Sequence, residues 1–407
     1  MSAAPRRLSG DPDAAARWCR HWREEAPRPD LLLLLAATGT AAVPGISAAG
    51  STPESRRGTA AADAELLLLG PATPLPHPLP PLPAGVSPAL ISRVVCEGLD
   101  LDPLIVDLGC AIAPGVPHLR PPGLAAEGPA RCLSSGAAMP AERVRHLLEL
   151  GRRWGRGRAH QPHRPLVIAE CVPGGTTTAQ ALLSGLGIEA SGIVSGSLAR
   201  PAHALKADLV GQGLAAAPAA ALCRPDRPQG GDPLATVAAL GDPMQPLAAG
   251  LLLAAAETGR PLLLAGGSQM AAVLALALAL APPELVPSLA ERCAIGTTAW
   301  VAWESDSNLA LLLARIGRRW NVEPLAFAAS LRFDGPVHPA LADYERGYVK
   351  EGVGAGGLAI LWELSGRSPE GLAEACDRAC TTLLGEASAP RACSLSPGRL
   401  GLGSGDG

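Results

Sequence analysis

The sequence predicts a doubly wound α/β fold: a mostly parallel sheet of about six strands with helices on both faces. Short runs that are apolar almost throughout recur along the chain, as expected of strands buried on both faces. Helix-like stretches alternate with them. The runs at 103, 165 and 261 also open with Pro-Leu, and the first residue of a strand is where proline is tolerated.

Residues 1–25 are charged throughout, unlike a signal peptide, and read as an N-terminal helical extension. The predicted strands are 31–38, 103–109, 165–171, 261–267, 293–301 and 325–333. Helices are predicted over 140–156, 178–187, 246–259 and 268–281. The first carries arginines on its outer side, and the last two are apolar all round, as helices sandwiched between layers are. Residues 43–65 are polar, irregular and closed by Asp63 and Glu65, which suggests a functional loop. The proline-rich segment 70–88 reads as an extended connection, and 217–233 as a loop. One α/β domain spans 26–385, with a helical last part, 336–385. With the N-terminal extension this makes a smaller, mainly helical part from the chain ends. Residues 386–407 read as a disordered tail.

Bulk composition excludes several functions. With 48% apolar residues in 407, a sizeable core is available. A net charge of −3 argues against a nucleic-acid partner, which needs a strongly basic face. The most apolar run, 270–283, is too short to span a bilayer, and 31–50 is broken by Gly, Pro and Thr, so no membrane is expected. Ten cysteines form no C-x-x-C pair and no Cys/His cluster of zinc spacing. No metal or cofactor is expected, and the compartment reads as a reducing cytoplasm.

Ligands of open α/β sheets bind beyond the carboxyl ends of the strands, so the residues just after each run matter most. Glu170 closes the third run, and Gly174, Gly175, Thr176 and Thr177 follow before a helix. Free N–H groups and hydroxyls there suit a phosphate, and the plain alternative is a tight strand–helix turn with a threonine cap. Gly266, Gly267 and Ser268 repeat the pattern after the fourth run, where close helix–strand packing is the alternative. Glu351 stands beside Lys350 and before glycines at 352, 354, 356 and 357, a place for a general base or for a helix-capping carboxylate. Arginine outnumbers lysine so strongly that only Lys206 and Lys350 remain, and the only tyrosines are Tyr344 and Tyr348. Lys206 could neutralise a phosphate or be a solvated helix residue. The two tyrosines could wall a pocket for a flat ring.

The segments "PGISAAGSTPE", "AGVSPALISR", "ECVPGGTTTAQALLSGLG", "LLLAGGSQMAAVLA" and "EGVGAGG" resemble those of an uncharacterised family, UPF0284. That family is related to nicotinate-nucleotide–dimethylbenzimidazole phosphoribosyltransferase. The resemblance spans most of 31–385 and makes 26–385 a phosphoribosyltransferase-like domain. The transferase signature E-M-G-I-G-N-T-T is matched by Glu170 through Thr177, with Val172 for Gly and Gly175 for Asn. The signature L-G-E-G-T-G-A-A is matched by Val349 through Gly356, which places Glu351 at the catalytic position. Lys206 corresponds to the family's lysine after its glycine-rich turn, and the acidic pair after that turn is absent here. The resemblance implies transfer of phosphoribose from nicotinate mononucleotide to a benzimidazole-type or purine base, giving an α-ribazole-type 5′-phosphate for the cobamide lower ligand. It implies small-molecule substrates and a homodimer. A non-catalytic nucleotide or corrinoid-precursor binding protein on the same fold is the alternative.

Overall fold

The computed structural model describes residues 5–25, 28–123, 127–156, 164–223, 230–335 and 337–385. Seven strands form one sheet: β1 (Arg6–Ser9), β2 (Asp30–Leu35), β3 (Pro103–Asp107), β4 (Leu166–Cys171), β5 (Leu262–Ala265), β6 (Cys293–Thr297) and β7 (Leu325–Ala328). Their order is β1-β7-β6-β5-β4-β2-β3. Strands β2 to β7 are mutually parallel, and β1 runs antiparallel to β7.

All six apolar runs are therefore strands, each ending earlier than predicted except β4. The seventh comes from the N-terminal residues, which form β1 before the helix Pro12–Arg20 rather than being helical throughout. Its sequence, Arg-Arg-Leu-Ser, has no apolar run because it lies at the sheet edge with both arginines exposed. The run 293–301 divides at Thr298, whose hydroxyl caps a short helix, Ala299–Ala302. The loop expected over 43–65 gives way to a helix at Thr59. Residues 224–229 of the loop expected at 217–233, and the tail expected at 386–407, lie outside the described residues.

Side chains alternate across a strand, so each strand feeds two cores. Leu32, Leu34, Ile168, Leu264 and Ile295 face one layer of helices, which includes Ala141–Gly155, Gly175–Gly185, Met244–Glu257 and Ser268–Leu280. Leu33, Leu35, Val167, Leu263 and Phe327 face the other, with Thr59–Leu69, Ala89–Leu99, Ala355–Leu364 and Pro369–Leu384. Both layers bury leucines of β2 completely, and cutting one such leucine to alanine would cost about 2–5 kcal/mol.

The helix Ala355–Leu364 lies unusually close to the sheet. A Cβ on Gly357 would stand 2.4 Å from that of Ala265, and one on Gly356 would stand 2.1 Å from the carbonyl carbon of Thr297. These two glycines serve helix–sheet contact rather than ligand approach.

Strands β3 and β4 flank β2 on opposite sides, so the chain reverses its direction of winding there. The crevice at the carboxyl ends of β2 and β4 is the switch point where such sheets bind ligands.

Candidate active site

A cavity of about 310 Å³ opens at that crevice. Glu170, Gly174, Gly175 and Thr176 reach it from the end of β4, Gly267, Ser268 and Gln269 from the end of β5, and Glu351 and Gly352 from the loop before Ala355–Leu364. Pieces of the sequence more than 180 positions apart are thus brought to one place, as the parallel topology requires.

Glu170 is buried on β4, and its Oε2 accepts the Val172 N–H at 3.1 Å. Burial, with Glu351 nearby, pushes its carboxyl up to about 8, while the Val172 N–H opposes the shift. Asp242, fully buried, adds to it, and a hydrogen bond from Gln269 opposes it. The other end of the Gln269 amide, Oε1, has no partner among the described residues. It lies so near the strand–helix turn that a Cβ on Gly175 would meet it at 1.9 Å.

Glu351 is held on both oxygens. Its Oε2 accepts the Thr298 N–H at 2.9 Å and the Thr297 hydroxyl at 3.0 Å, and its Oε1 accepts the N–H groups of Gly356 at 3.1 Å and Gly352 at 3.2 Å. Burial raises its pKa, and these four donors pull it back. The loop that carries it is strained. Val349 and Val353 have φ of 46° and 54°, values that β-branched residues rarely adopt. The strain is held by two bonds, from the Val349 N–H to the Ser197 carbonyl at 3.0 Å and from the Val353 N–H to the Glu170 carbonyl at 2.8 Å. The second ties the two glutamates' backbones together.

Donors for an anion come from backbone. The helices Gly175–Gly185 and Ser268–Leu280 both begin at the cavity, and neither has a side-chain N-cap. At the first helix the N–H groups of Gly175 and Thr177 are taken by the carbonyls of Val172 and Gly174, which leaves that of Thr176 for a ligand, and at the second those of Ser268 and Gln269 have no partner among the described residues. A third loop, Ser195-Gly196-Ser197, lines the same wall. The proline-rich segment, Leu79 to Leu82, adds an apolar stretch to the cavity wall, with Val86 and Pro88. Glu65 anchors that segment by accepting the His77 N–H at 2.8 Å. Asp63, also in the cavity wall, accepts from the Ser87 hydroxyl at 2.6 Å and from the Cys171 thiol at 3.3 Å, and burial pushes its carboxyl up to about 6.

Other residues singled out in the sequence lie elsewhere. Gly266 sits behind the wall, 3.9 Å from Glu170 Oε1 as measured from a Cβ built on it. Thr177 is buried beneath the turn, its hydroxyl without a partner among the described residues. Tyr344 is core: it packs on Trp300 and Phe333, at ring distances of 4.7 and 5.5 Å, and its hydroxyl donates to the Val86 carbonyl. Neither Tyr344 nor the partly buried Tyr348 is among the cavity-lining residues. Lys206 is fully buried with its ammonium on the Ser195 carbonyl at 2.5 Å, so it is neither a solvated residue nor part of the cavity surface. Burial lowers its pKa to about 7, against the pull of Glu304.

Sequence reasoning passed over Ser87, Gln269, Glu304 and the proline-rich wall. Ser87 lies in the segment AGVSPALISR, which carries the family resemblance but assigns it no role, and the wall's prolines signal only an extended chain. Asp63 was marked within the irregular loop, without a role.

Among the described residues no helix is long and apolar enough to cross a membrane. Residues 89–286 match the family model described as a phosphoribosyltransferase. Among solved structures, the chain is similar to the nicotinate-nucleotide-dimethylbenzimidazole phosphoribosyltransferase of Thermus thermophilus. The TM-score is 0.56 and the identity 19%, over 90% of this chain and 91% of that one. That likeness shows a shared α/β fold. Among curated proteins, a UPF0284 protein of Parasynechococcus marenigrum is 51% identical, covering 88% of each chain. Another, of Prochlorococcus marinus, is 50% identical over 91% of both chains, and at that level of identity and coverage this chain belongs to the UPF0284 family.

Proposed function

We propose that this protein transfers the phosphoribosyl group of nicotinate mononucleotide to a benzimidazole-type or purine base. The product would be an α-ribazole-type 5′-phosphate for the cobamide lower ligand. One observation carries the reading: two glutamates, Glu170 and Glu351, whose backbones are tied by the Val353 N–H, share a cavity with two helix N-termini that lack side-chain caps and an apolar wall. The N–H groups suit the 5′-phosphate, the wall suits a flat ring, and the carboxylates suit a sugar that becomes positive.

In this reading the bond between C1′ and the pyridinium nitrogen breaks, and its electron pair returns to the ring, which leaves as nicotinate. A ring nitrogen of the acceptor attacks C1′ from the opposite face. The proton on the acceptor's other nitrogen passes to Glu351, whose raised pKa brings it toward the range where a general base works best. Glu170 faces the ribose or the cationic ring. The phosphoribosyltransferase match over 89–286 and the shared fold support the reaction class. The test is nicotinate release from the mononucleotide, with 5,6-dimethylbenzimidazole, adenine or no base. Release that requires a base supports the transfer, and release without one means hydrolysis.

One observation favours a non-catalytic binder instead: the Glu351 carboxylate already accepts four hydrogen bonds, as a purely structural carboxylate would. Binding of the mononucleotide without any release, unchanged in Glu351→Gln, would select that reading.

A further inference from the structure

The chain's only two lysines, 144 positions apart, are brought to one wall of the cavity, where Lys350 is among the lining residues and Lys206 lies beneath. Lys350 Nζ lies 2.6 Å from Glu304 Oε1 and donates to the Leu198 carbonyl at 2.7 Å. Lys206 Nζ donates to the Ser195 carbonyl at 2.5 Å. The other oxygen of Glu304 accepts the hydroxyls of Ser195 at 2.6 Å and Ser307 at 2.5 Å. The Ser197 carbonyl is taken by the Val349 N–H. Three carbonyls of one short loop are thus turned toward donors behind it. Two further bonds fix the loop: Ser197 Oγ accepts the Ala48 N–H at 2.8 Å, and the backbone N–H of Ser195 donates to Ser268 Oγ at 3.1 Å. Gly196 and Ser197 line the cavity, and their N–H groups have no partner among the described residues.

Both lysine side chains are essentially unexposed, and each ammonium is held on a carbonyl of this loop, with that of Lys350 also paired to Glu304. We infer that Lys206, and Lys350 paired with Glu304, are positioning residues. They turn the carbonyls of residues 195–198 away from the cavity, so that the Gly196 and Ser197 N–H groups face it as a cradle for the substrate's phosphate. Successive N–H groups fixed in this way form an anion-binding concavity. A Cβ on Gly196 would stand 3.3 Å from Lys206 Nζ, so the ammonium lies directly against the loop it holds. The inference rests on reading the cavity as a nucleotide site, and not on the reaction performed there.

The test combines labelling with binding. The wild-type protein is treated with acetic anhydride, with and without nicotinate mononucleotide, and digests are read by mass spectrometry. Affinities for inorganic phosphate, the mononucleotide and nicotinate riboside are measured for wild type, Lys206→Met and Glu304→Gln. Both lysines should resist acetylation in either state. Lys206→Met should weaken phosphate and mononucleotide binding by about tenfold or more, the worth of lost hydrogen bonds to a charged group. Riboside binding should stay within about twofold, which loss of the fold would not allow. Glu304→Gln should shift the same two ligands in the same direction by less, and it decides the matter should Lys206→Met fail to fold. A lysine that is acetylated in the free protein and protected by the nucleotide makes direct contact, which overturns the inference. So does phosphate binding that is absent in wild type or unchanged in the variants, or riboside binding that falls equally. Wild type that shows the phosphate effects but releases no nicotinate sinks the proposed reaction and leaves the cradle standing. Turnover with unaltered phosphate binding in the variants does the reverse.

Discussion

Replacing Glu351 by glutamine separates its two roles, because the structure sets the size of each. The carboxylate accepts three backbone N–H groups and one hydroxyl. An amide has one accepting end. Turned one way, its NH2 faces the N–H groups of Gly352 and Gly356. Turned the other, it faces the Thr298 N–H and the Thr297 hydroxyl, of which only the hydroxyl can rotate to accept. The second arrangement is better and leaves one N–H unsatisfied, a cost of about 1–3 kcal/mol. A domain stabilised by roughly 5–15 kcal/mol survives that loss, so Glu351→Gln should fold with a lowered melting temperature. Its catalytic loss should be larger, about 10²–10⁴ in kcat, if the carboxylate takes the acceptor's proton. The assay is nicotinate release at saturating mononucleotide and base, with circular dichroism on the same sample. A folded variant with kcat within about threefold of wild type would refute the general-base assignment.

Three further outcomes follow from the same geometry. With the Glu170 carboxyl raised to about 8, the free protein holds it protonated at neutral pH, and a cationic pyridinium beside it favours ionisation. Mononucleotide binding should therefore release a proton near pH 7 and tighten as pH rises toward 8, and calorimetry in buffers of different ionisation enthalpy would detect no release if Glu170 does not face the ring. Asp63 has its folded pKa raised from 3.8 to about 6, so its contribution to stability is fully present below 3.8 and is lost as pH rises through 6. Asp63→Asn removes that dependence, and its unfolding free energy relative to wild type should improve between pH 4 and 7 by up to ~3 kcal/mol, as read from urea midpoints. Tyr344→Phe should cost about 1 kcal/mol through the lost bond to the Val86 carbonyl while leaving acceptor KM unchanged, whereas a several-fold rise in KM would return Tyr344 to the base pocket.

By itself the sequence determined the sheet. A parallel strand buried on both faces must be apolar along its length, and that requirement is written locally in β2 to β7. It also marked Glu170 and Glu351, because a carboxylate beside glycines at a strand or helix end is a pattern carried within a few residues, and it carried the family likeness. It did not show β1, an edge strand with no apolar face of its own. Nor did it assign the tyrosines and lysines, since a rare residue type says nothing about which way its side chain turns. Only the tertiary structure decided that Tyr344 closes an aromatic core, that glycines 356 and 357 serve helix packing, and that Lys206 and Lys350 both hold carbonyls of residues 195–198 at one wall of the site. Those contacts join segments separated by tens to hundreds of positions. They are fixed by which faces of the sheet and its helices come together, a property that no local stretch of sequence contains.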